Sequence, residues 1–119
     1  MKVRCTRLLN AHGEPVSTSG WLTVGKEYLV LEVAVDKQGG SKFRIISDDA
    51  GTPILAFASE FEAISDTIPK CWVATFGADW LLFSPAAFRG GFWERYFDGD
   101  AAARNEFDEV VKLIEIETR

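Results

Sequence analysis

The chain has 119 residues, of which 47% are hydrophobic and 13% aromatic, and its 13 basic and 18 acidic residues give a net charge of −5. This length suits one domain, and the apolar content is enough for a core without disulfides or metals, which argues against disorder. The acidic balance disfavours nucleic acid as the main partner, because phosphate contacts need lysine and arginine. A basic protein partner fits this charge; the alternative is a solvated helix face that only aids solubility.

The first residues show no sign of a targeting segment. Residues 1–6 alternate between apolar and polar side chains, and no apolar stretch follows a basic one as in a signal peptide. No run approaches the roughly 18 apolar residues of a membrane span. Cys5 and Cys71 lie far apart in apolar surroundings, so we expect two unpaired thiols in a reducing compartment. We therefore predict a cytoplasmic protein with no membrane partner.

Strands and turns are predicted for the first 65 residues. The alternation around Val3 and Cys5 indicates a half-buried strand. Residues 9–20 are rich in Gly, Pro and Ser and are typical of a loop. The strongest strand is predicted over residues 27–35 (EYLVLEVAV), because β-branched and aromatic side chains dominate it.

A hairpin follows this strand. Residues 42–47 and 52–57 are predicted to form its two arms, with a turn in which Gly51 can take a positive φ. Pro53 near the start of the second arm indicates a sheet edge or a strand end. A single helical turn and a short fifth strand complete the region by residue 65.

Five short strands with tight turns suggest a small, strongly bent barrel. The segments LTVGKEYLVLEV, KFRIISDDAGTPILAF and ASEFEAI resemble the SH3-like barrel, in which a Val-Gly-Lys-x-Tyr step enters a strand and a hairpin and one helical turn follow. The resemblance covers about residues 3–65. It implies an α+β, mainly β protein with an SH3-like five-stranded barrel over residues 1–66, and it says little about function.

Residues 67–119 are predicted to be a β-hairpin and C-terminal helices packed on the barrel within one domain. Residues 71–76 and 80–83 can pair across a Gly-Ala-Asp turn. Ser84 and Pro85 then favour a helix start, with serine as N-cap and proline at the first helical position.

Two helical segments are predicted near the end of the chain. Residues 92–97 (FWERYF) form an aromatic segment after a Gly-Gly pair. Asp100 can cap a final helix over residues 101–115, where a carboxylate favours the helix dipole. Apolar residues spaced i, i+4, i+7, i+8 and i+11 give this helix one amphipathic stripe: Ala103, Phe107, Val110, Val111 and Ile114.

Few residues could carry out catalysis. His12 is the only histidine and lies in the loop, and neither cysteine has a second ligand at metal-binding spacing. No glycine-rich phosphate loop is present. Asp48 and Asp49 are adjacent, so their carboxylates tend to point apart. We predict no catalytic residue, no metal and no cofactor, and we keep an enzyme that uses carboxylates alone as an alternative.

The tail of the chain suggests a class of function. The stretch WLLFSPAAFRGGFWERYFDGDAAARNEFDEVV is similar to the end of small bacterial proteins that act as immunity or accessory partners of secreted toxins, where a GFWE-YFDGD stretch precedes a helix. This resemblance implies an intracellular protein that neutralises one toxin by covering its active site or a nearby surface. Such proteins carry no catalytic residues, and many are acidic because their nuclease toxins are basic.

We therefore predict a non-enzymatic protein that binds a basic protein partner, such as a cognate toxin. The predicted binding residues are acids, together with two candidate aromatic anchors: Asp48, Asp49, Asp98, Asp100, Glu106, Asp108, Glu109, Trp21 and Trp93. The alternative reading of the aromatics is a core between barrel and helices. Two alternatives stay open: a stand-alone SH3-like regulatory or scaffold module that binds peptides in an aromatic groove, and a homodimer through residues 92–97 or a barrel edge strand.

Overall fold

Two antiparallel sheets and a C-terminal helix make up the fold in the computed structural model, which describes residues 1–119. The smaller sheet has the order β2-β1-β6 and consists of β1 (Lys2–Cys5), β2 (Glu27–Leu29) and β6 (Phe61–Ser65). The larger sheet has the order β5-β4-β3-β8-β7 and consists of β3 (Glu32–Asp36), β4 (Ser41–Ile46), β5 (Pro53–Phe57), β7 (Trp72–Phe76) and β8 (Trp80–Pro85). The α+β, mainly β class is confirmed.

The SH3-like five-stranded barrel over residues 1–66 is not confirmed, because these strands divide between two sheets that do not close. The strand predicted over residues 27–35 breaks at Val30 and Leu31. Strand β2 pairs with β1, whereas β3 pairs with β4 and β8. Both residues at the break are fully buried, although neighbours along a regular strand point to opposite faces. Val30 belongs to one apolar core and Leu31 to the other.

The predicted hairpin of residues 71–83 is confirmed as β7 and β8. The two strands are in register with Ala74 opposite Phe83, and the Gly77 N–H donates to the Trp80 carbonyl across the turn at 2.8 Å. Strand β8 also pairs with β3, with Ala34 opposite Leu82. The hairpin thus extends the larger sheet beyond the strands of the first 65 residues.

The predicted helix start at Ser84 and Pro85 is wrong. Both residues end β8, and a 3₁₀ turn (Ala86–Phe88) follows. Ser84 is fully buried and its hydroxyl donates to the Pro85 carbonyl at 3.1 Å, so it caps no helix. The strand continues because Ser84 still pairs with Val73 of β7.

The helical segments are confirmed as α1 (Phe92–Phe97) and α2 (Ala101–Thr118). Gly91 precedes α1 with a φ of 78°, a left-handed conformation that glycine adopts without steric cost. The Asp100 carboxylate accepts from the Ala102 N–H at 3.2 Å and caps α2 as predicted. Neither helix is both long and apolar enough to cross a membrane.

Two apolar clusters form the interior. The first lies between the sheets and comprises Val3, Cys5, Leu8, Leu22, Tyr28, Val30, Ile45 and Ala56. The second lies under the helices and comprises Leu31, Phe88, Phe92, Tyr96, Ala103, Phe107 and Ile114. The predicted α2 stripe is therefore confirmed as a core-facing stripe, and Leu31 joins it to the chain between the two sheets. Both cysteines are unpaired, as predicted.

Candidate protein-binding surfaces

The acids predicted on α2 do not share one face. Glu106 and Glu109 are three residues apart and are neighbours on the helix surface. Asp108 is two residues from Glu106, and residues at this spacing point to different sides of a helix. Phe107 lies between them in the sequence and faces the core. The three predicted acids within α2 therefore divide between the two flanks of the buried stripe.

One flank of α2 combines free carboxylates with exposed aliphatic side chains. Glu106, Glu109, Leu113 and Ile116 follow the spacing i, i+3, i+7 and i+10, which places them along one line of the helix. Leu113 is 44% exposed and Ile116 is 59% exposed. Neither glutamate takes part in an ion pair within the molecule. We call these four residues the acidic stripe.

The opposite flank of α2 is balanced in charge. Arg104, Asp108 and Lys112 are spaced four residues apart, so a carboxylate lies between two cations on the helix surface. Arg104 also packs its guanidinium carbon 4.5 Å from the centre of the Tyr96 ring. This flank has the character of a solvated helix surface, in contrast to the acidic stripe.

The two acids between the helices have structural positions. Asp98 ends α1, and its N–H donates to the Glu94 carbonyl at 3.0 Å. Asp100 caps α2, and its carboxylate lies 3.8 Å from an Arg95 nitrogen. Asp100 is thus partly neutralised within the molecule, whereas the carboxylate of Asp98 is exposed and forms no ion pair.

Asp48 is held by three side chains and does not present a free charge. Its carboxylate accepts hydrogen bonds from Lys26 at 2.5 Å, from Thr23 at 2.7 Å and from the Tyr28 hydroxyl at 3.1 Å. These bonds, led by that from Lys26, lower the pKa of Asp48. The Asp48 N–H donates to the Trp21 carbonyl at 2.9 Å, which ties the turn to the loop that carries Trp21.

Trp21 borders an open groove between the loop of residues 9–22 and strand β5. The groove has a volume of about 270 Å³ and is mainly apolar, with walls that include Leu9, Leu22, Ile54, Leu55 and Phe57. Trp21 is 45% exposed. The buried Glu60 joins the two walls, since its carboxylate accepts from the Leu9 N–H at 2.8 Å and the Phe57 N–H at 3.1 Å. Asp49 is exposed in the adjoining turn.

Trp93 is partly buried and packs against the core under the helices. Its ring centre lies 4.8 Å from that of Phe88 and 5.0 Å from that of Phe92. The Arg44 guanidinium carbon covers the ring at 4.2 Å. Of the two predicted anchors, Trp21 is exposed and Trp93 is partly buried.

Arg44 also pairs with a buried carboxylate. Its Nε donates to Glu32 at 3.0 Å, and the Glu32 side chain is only 4% exposed. Burial raises the pKa of Glu32, although Arg44 opposes this shift, as do Trp93 and Ser84 nearby. The second carboxylate oxygen of Glu32 has no hydrogen-bond partner.

Sequence reasoning missed two of these features. Leu113 and Ile116 lie outside the core-facing spacing, and their positions relative to Glu109 could have been obtained by extending the same helical wheel. The Glu32–Arg44 pair had a weaker signal, a lone acid within an apolar strand, and needed the strand register to reveal its partner.

No three His, Cys, Asp or Glu side chains converge to hold a metal ion. Among protein-family models, curated proteins and solved structures, none matches this chain.

Proposed function

We propose that the protein is a non-enzymatic binding protein that docks a basic protein partner on the acidic stripe of α2. The observation that carries this proposal is the combination of two unpaired glutamates, Glu106 and Glu109, with exposed Leu113 and Ile116 on one helix line. A basic partner would neutralise the carboxylates, and the same contact would remove the aliphatic side chains from water.

The two kinds of side chain serve different steps of binding. Charges near the rim of an interface act mainly on the association rate, and salt screens them over about 10 Å at 0.1 M. Buried aliphatic contacts act mainly on dissociation, because they are lost only when the complex separates. A stripe that carries both suits a partner that must be captured quickly and held.

The resemblance of the tail to immunity proteins supports a more specific form of this proposal. In that form, the partner is a secreted bacterial toxin, and the protein neutralises it in the cytoplasm by covering its active site or a surface nearby. The net charge of −5 fits a basic toxin. A gene for the toxin next to the gene for this protein would be the quickest support.

Binding kinetics can test the acidic stripe directly. The partner is isolated from the native host by pull-down, and its association rate is measured at two salt concentrations. Glu106→Lys with Glu109→Lys should slow association at low salt by about tenfold and flatten its salt dependence. Asp108→Lys is the matched control, since it reverses a charge on the opposite flank of the same helix. Equal effects of the two variants, or no effect of either, would show that the acidic stripe is not part of the interface.

The Trp21 groove supports a second candidate function, a regulatory or scaffold module that binds peptides. An exposed tryptophan beside an apolar groove is a common arrangement for holding an extended segment. The resemblance of residues 3–65 to the SH3-like barrel also favours this candidate. Trp21→Ala should strongly weaken binding in this case, while charge reversal on the acidic stripe should leave affinity unchanged. A single stoichiometric basic partner would favour the first candidate, and several proline-rich partners the second.

A further inference from the structure

Strand β7 forms an unprotected edge of the larger sheet. It pairs only with β8 and has no neighbour on its other side. Its sequence, WVATF, contains no charge and no proline. Phe76 is 81% exposed and Val73 is 41% exposed. A strand edge of this kind is a template for another strand, and proteins usually block it.

The hydrogen-bonding pattern between β7 and β8 shows which backbone groups of β7 are free. The Gly77 N–H donates to the Trp80 carbonyl, and residues along an antiparallel ladder alternate between bonded and non-bonded positions. Thr75 therefore bonds to β8, whereas the N–H and C=O groups of Ala74 and Phe76 point outward. The Trp72 N–H is already bonded to the Pro69 carbonyl at 3.2 Å, so the free part of the edge begins after Trp72.

The opposite edge of the same sheet is protected. Strand β5 begins with Pro53, which has no N–H to offer. The Phe57 N–H at its other end donates to the Glu60 carboxylate at 3.1 Å. Because bonded and non-bonded positions alternate along the strand, Leu55 is the only residue between Pro53 and Phe57 whose backbone N–H and C=O groups point outward.

The edges of the smaller sheet are also less suited to pairing. Strand β2 has only three residues. Strand β6 carries the exposed carboxylate of Glu62, which forms an ion pair with Arg4 at 3.2 Å. Charged side chains on an edge are a usual means of preventing strand addition. Strand β7 is the edge without such a device.

We infer that β7 pairs with β7 of a second copy, antiparallel and about a twofold axis near Thr75, to give a continuous ten-stranded sheet. This register places Ala74 opposite Phe76 of the second copy and brings the free N–H and C=O groups of both residues into hydrogen-bonding positions. No charges meet, because β7 has none, and two β-branched threonines face each other at the axis. A second copy supplies the same edge and needs no other complementarity.

The pairing must be weak and must stop at two copies. Five residues from each chain bury less than the roughly 1,200 Å² of a stable specific interface, so the dimer should dissociate on dilution. Each chain has one such edge, and a twofold pairing uses both, which prevents growth into a fibre. The inference does not rest on the acidic stripe, which lies on α2.

Sedimentation and hydrogen exchange of the full chain, from micromolar to millimolar concentration, test this inference. We expect a monomer–dimer equilibrium, and the amide exchange of Ala74 and Phe76 should slow as the concentration rises. The Leu55 amide on the β5 edge should exchange at a constant rate. Concentration-independent exchange at Ala74 and Phe76, or association into species larger than a dimer, would overturn the inference.

Two lysine variants separate β7 from the other edge. Phe76→Lys should abolish dimerisation, and the high exposure of Phe76 leaves the fold intact. Leu55→Lys is the matched control on β5, since Leu55 is 44% exposed, and it should dimerise like the wild type. A dimer that survives Phe76→Lys, or one that Leu55→Lys removes, would show that the contact lies elsewhere. Circular dichroism of both variants checks that each is folded.

Discussion

Arg44 lies across the face of Trp93, with its guanidinium carbon 4.2 Å from the ring centre, and its Nε bonds the buried Glu32 at 3.0 Å. Arg44 and Glu32 are opposite each other on adjacent strands of the larger sheet, while Trp93 is on α1. One side chain thus links the sheet to the helices. It also supplies the counter-charge for a carboxylate that burial disfavours.

Replacing Arg44 alone should lower the free energy of unfolding more than replacing both Glu32 and Arg44. Arg44→Met leaves Glu32 buried without its partner, and loss of one member of a buried pair typically costs about 3–5 kcal/mol. Glu32→Gln together with Arg44→Met should recover a large part of this loss. Urea unfolding of the two variants measures the difference.

The exposed Arg4–Glu62 pair is the control. Its side chains are 43% and 56% exposed, so Arg4→Met should cost less than about 1 kcal/mol. A cost for Arg44→Met no larger than that for Arg4→Met would show that Glu32 does not depend on its ion pair.

The raised pKa of Glu32 predicts a specific pH dependence of stability. Because burial favours the protonated form in the folded state, the stabilising contribution of Glu32 is present below the ordinary glutamate pKa of about 4.3. It is lost as pH rises through the raised pKa. Glu32→Gln should remove this loss, so the free energy of unfolding of the variant should improve relative to wild type as pH rises from about 4.

The pH dependence of stability expected from Asp48 has the opposite sign to that expected from Glu32. Hydrogen bonds from Lys26 and Thr23 lower its pKa, so its contribution is present above the ordinary aspartate pKa of about 3.9 and is lost as pH falls through the lowered value. Asp48→Asn should therefore differ most from wild type near neutral pH and least in acid. If the free energy of unfolding of each variant relative to wild type did not change with pH, both assignments would be contradicted.

Local patterns predicted most of the secondary structure. The turn at residues 77–79 and the Asp100 cap each depend on a few neighbouring residues, and both were predicted correctly. The break at Val30 and Leu31 could not be predicted in this way. Both flanking segments favour strands, yet β2 pairs with β1 whereas β3 pairs with β4 and β8. The strand propensity of these residues does not indicate which sheet each segment joins.

The structure separates the candidate binding residues that the sequence had grouped together. Charge composition indicated α2 as an acidic helix, yet the residue list mixed its two flanks. Asp48 was predicted to help bind a partner, and sequence could not show that Lys26, Thr23 and Tyr28 surround its carboxylate. Trp93 was considered an anchor, although Arg44 from a distant strand covers it. The differences at Asp48 and Trp93 involve residues that long-range contacts bring together.

Cys71 should react slowly with alkylating reagents despite its partial exposure. Burial, and then the neighbouring Glu117, raise the pKa of its thiol to about 12, and the thiolate is the reactive form. The Glu117 carboxylate also accepts from the Cys71 N–H at 3.1 Å. Iodoacetamide labelling at pH 8 should therefore be much slower than for a free cysteine, and Glu117→Gln should speed it modestly because burial remains. Labelling at the rate of free cysteine would contradict this.

The two predicted tryptophan anchors should behave in opposite ways. Trp93 packs against Phe88 and Phe92 under Arg44, so Trp93→Ala should lower the free energy of unfolding by about 3 kcal/mol. Trp21 is 45% exposed beside the groove, so Trp21→Ala should change stability by less than about 1 kcal/mol. If the groove contacts a partner, Trp21→Ala should speed dissociation without altering the association rate. Urea unfolding and binding kinetics measure the two effects separately. A loss of stability from Trp21→Ala as large as that from Trp93→Ala would assign Trp21 to the core and leave the groove without an aromatic anchor.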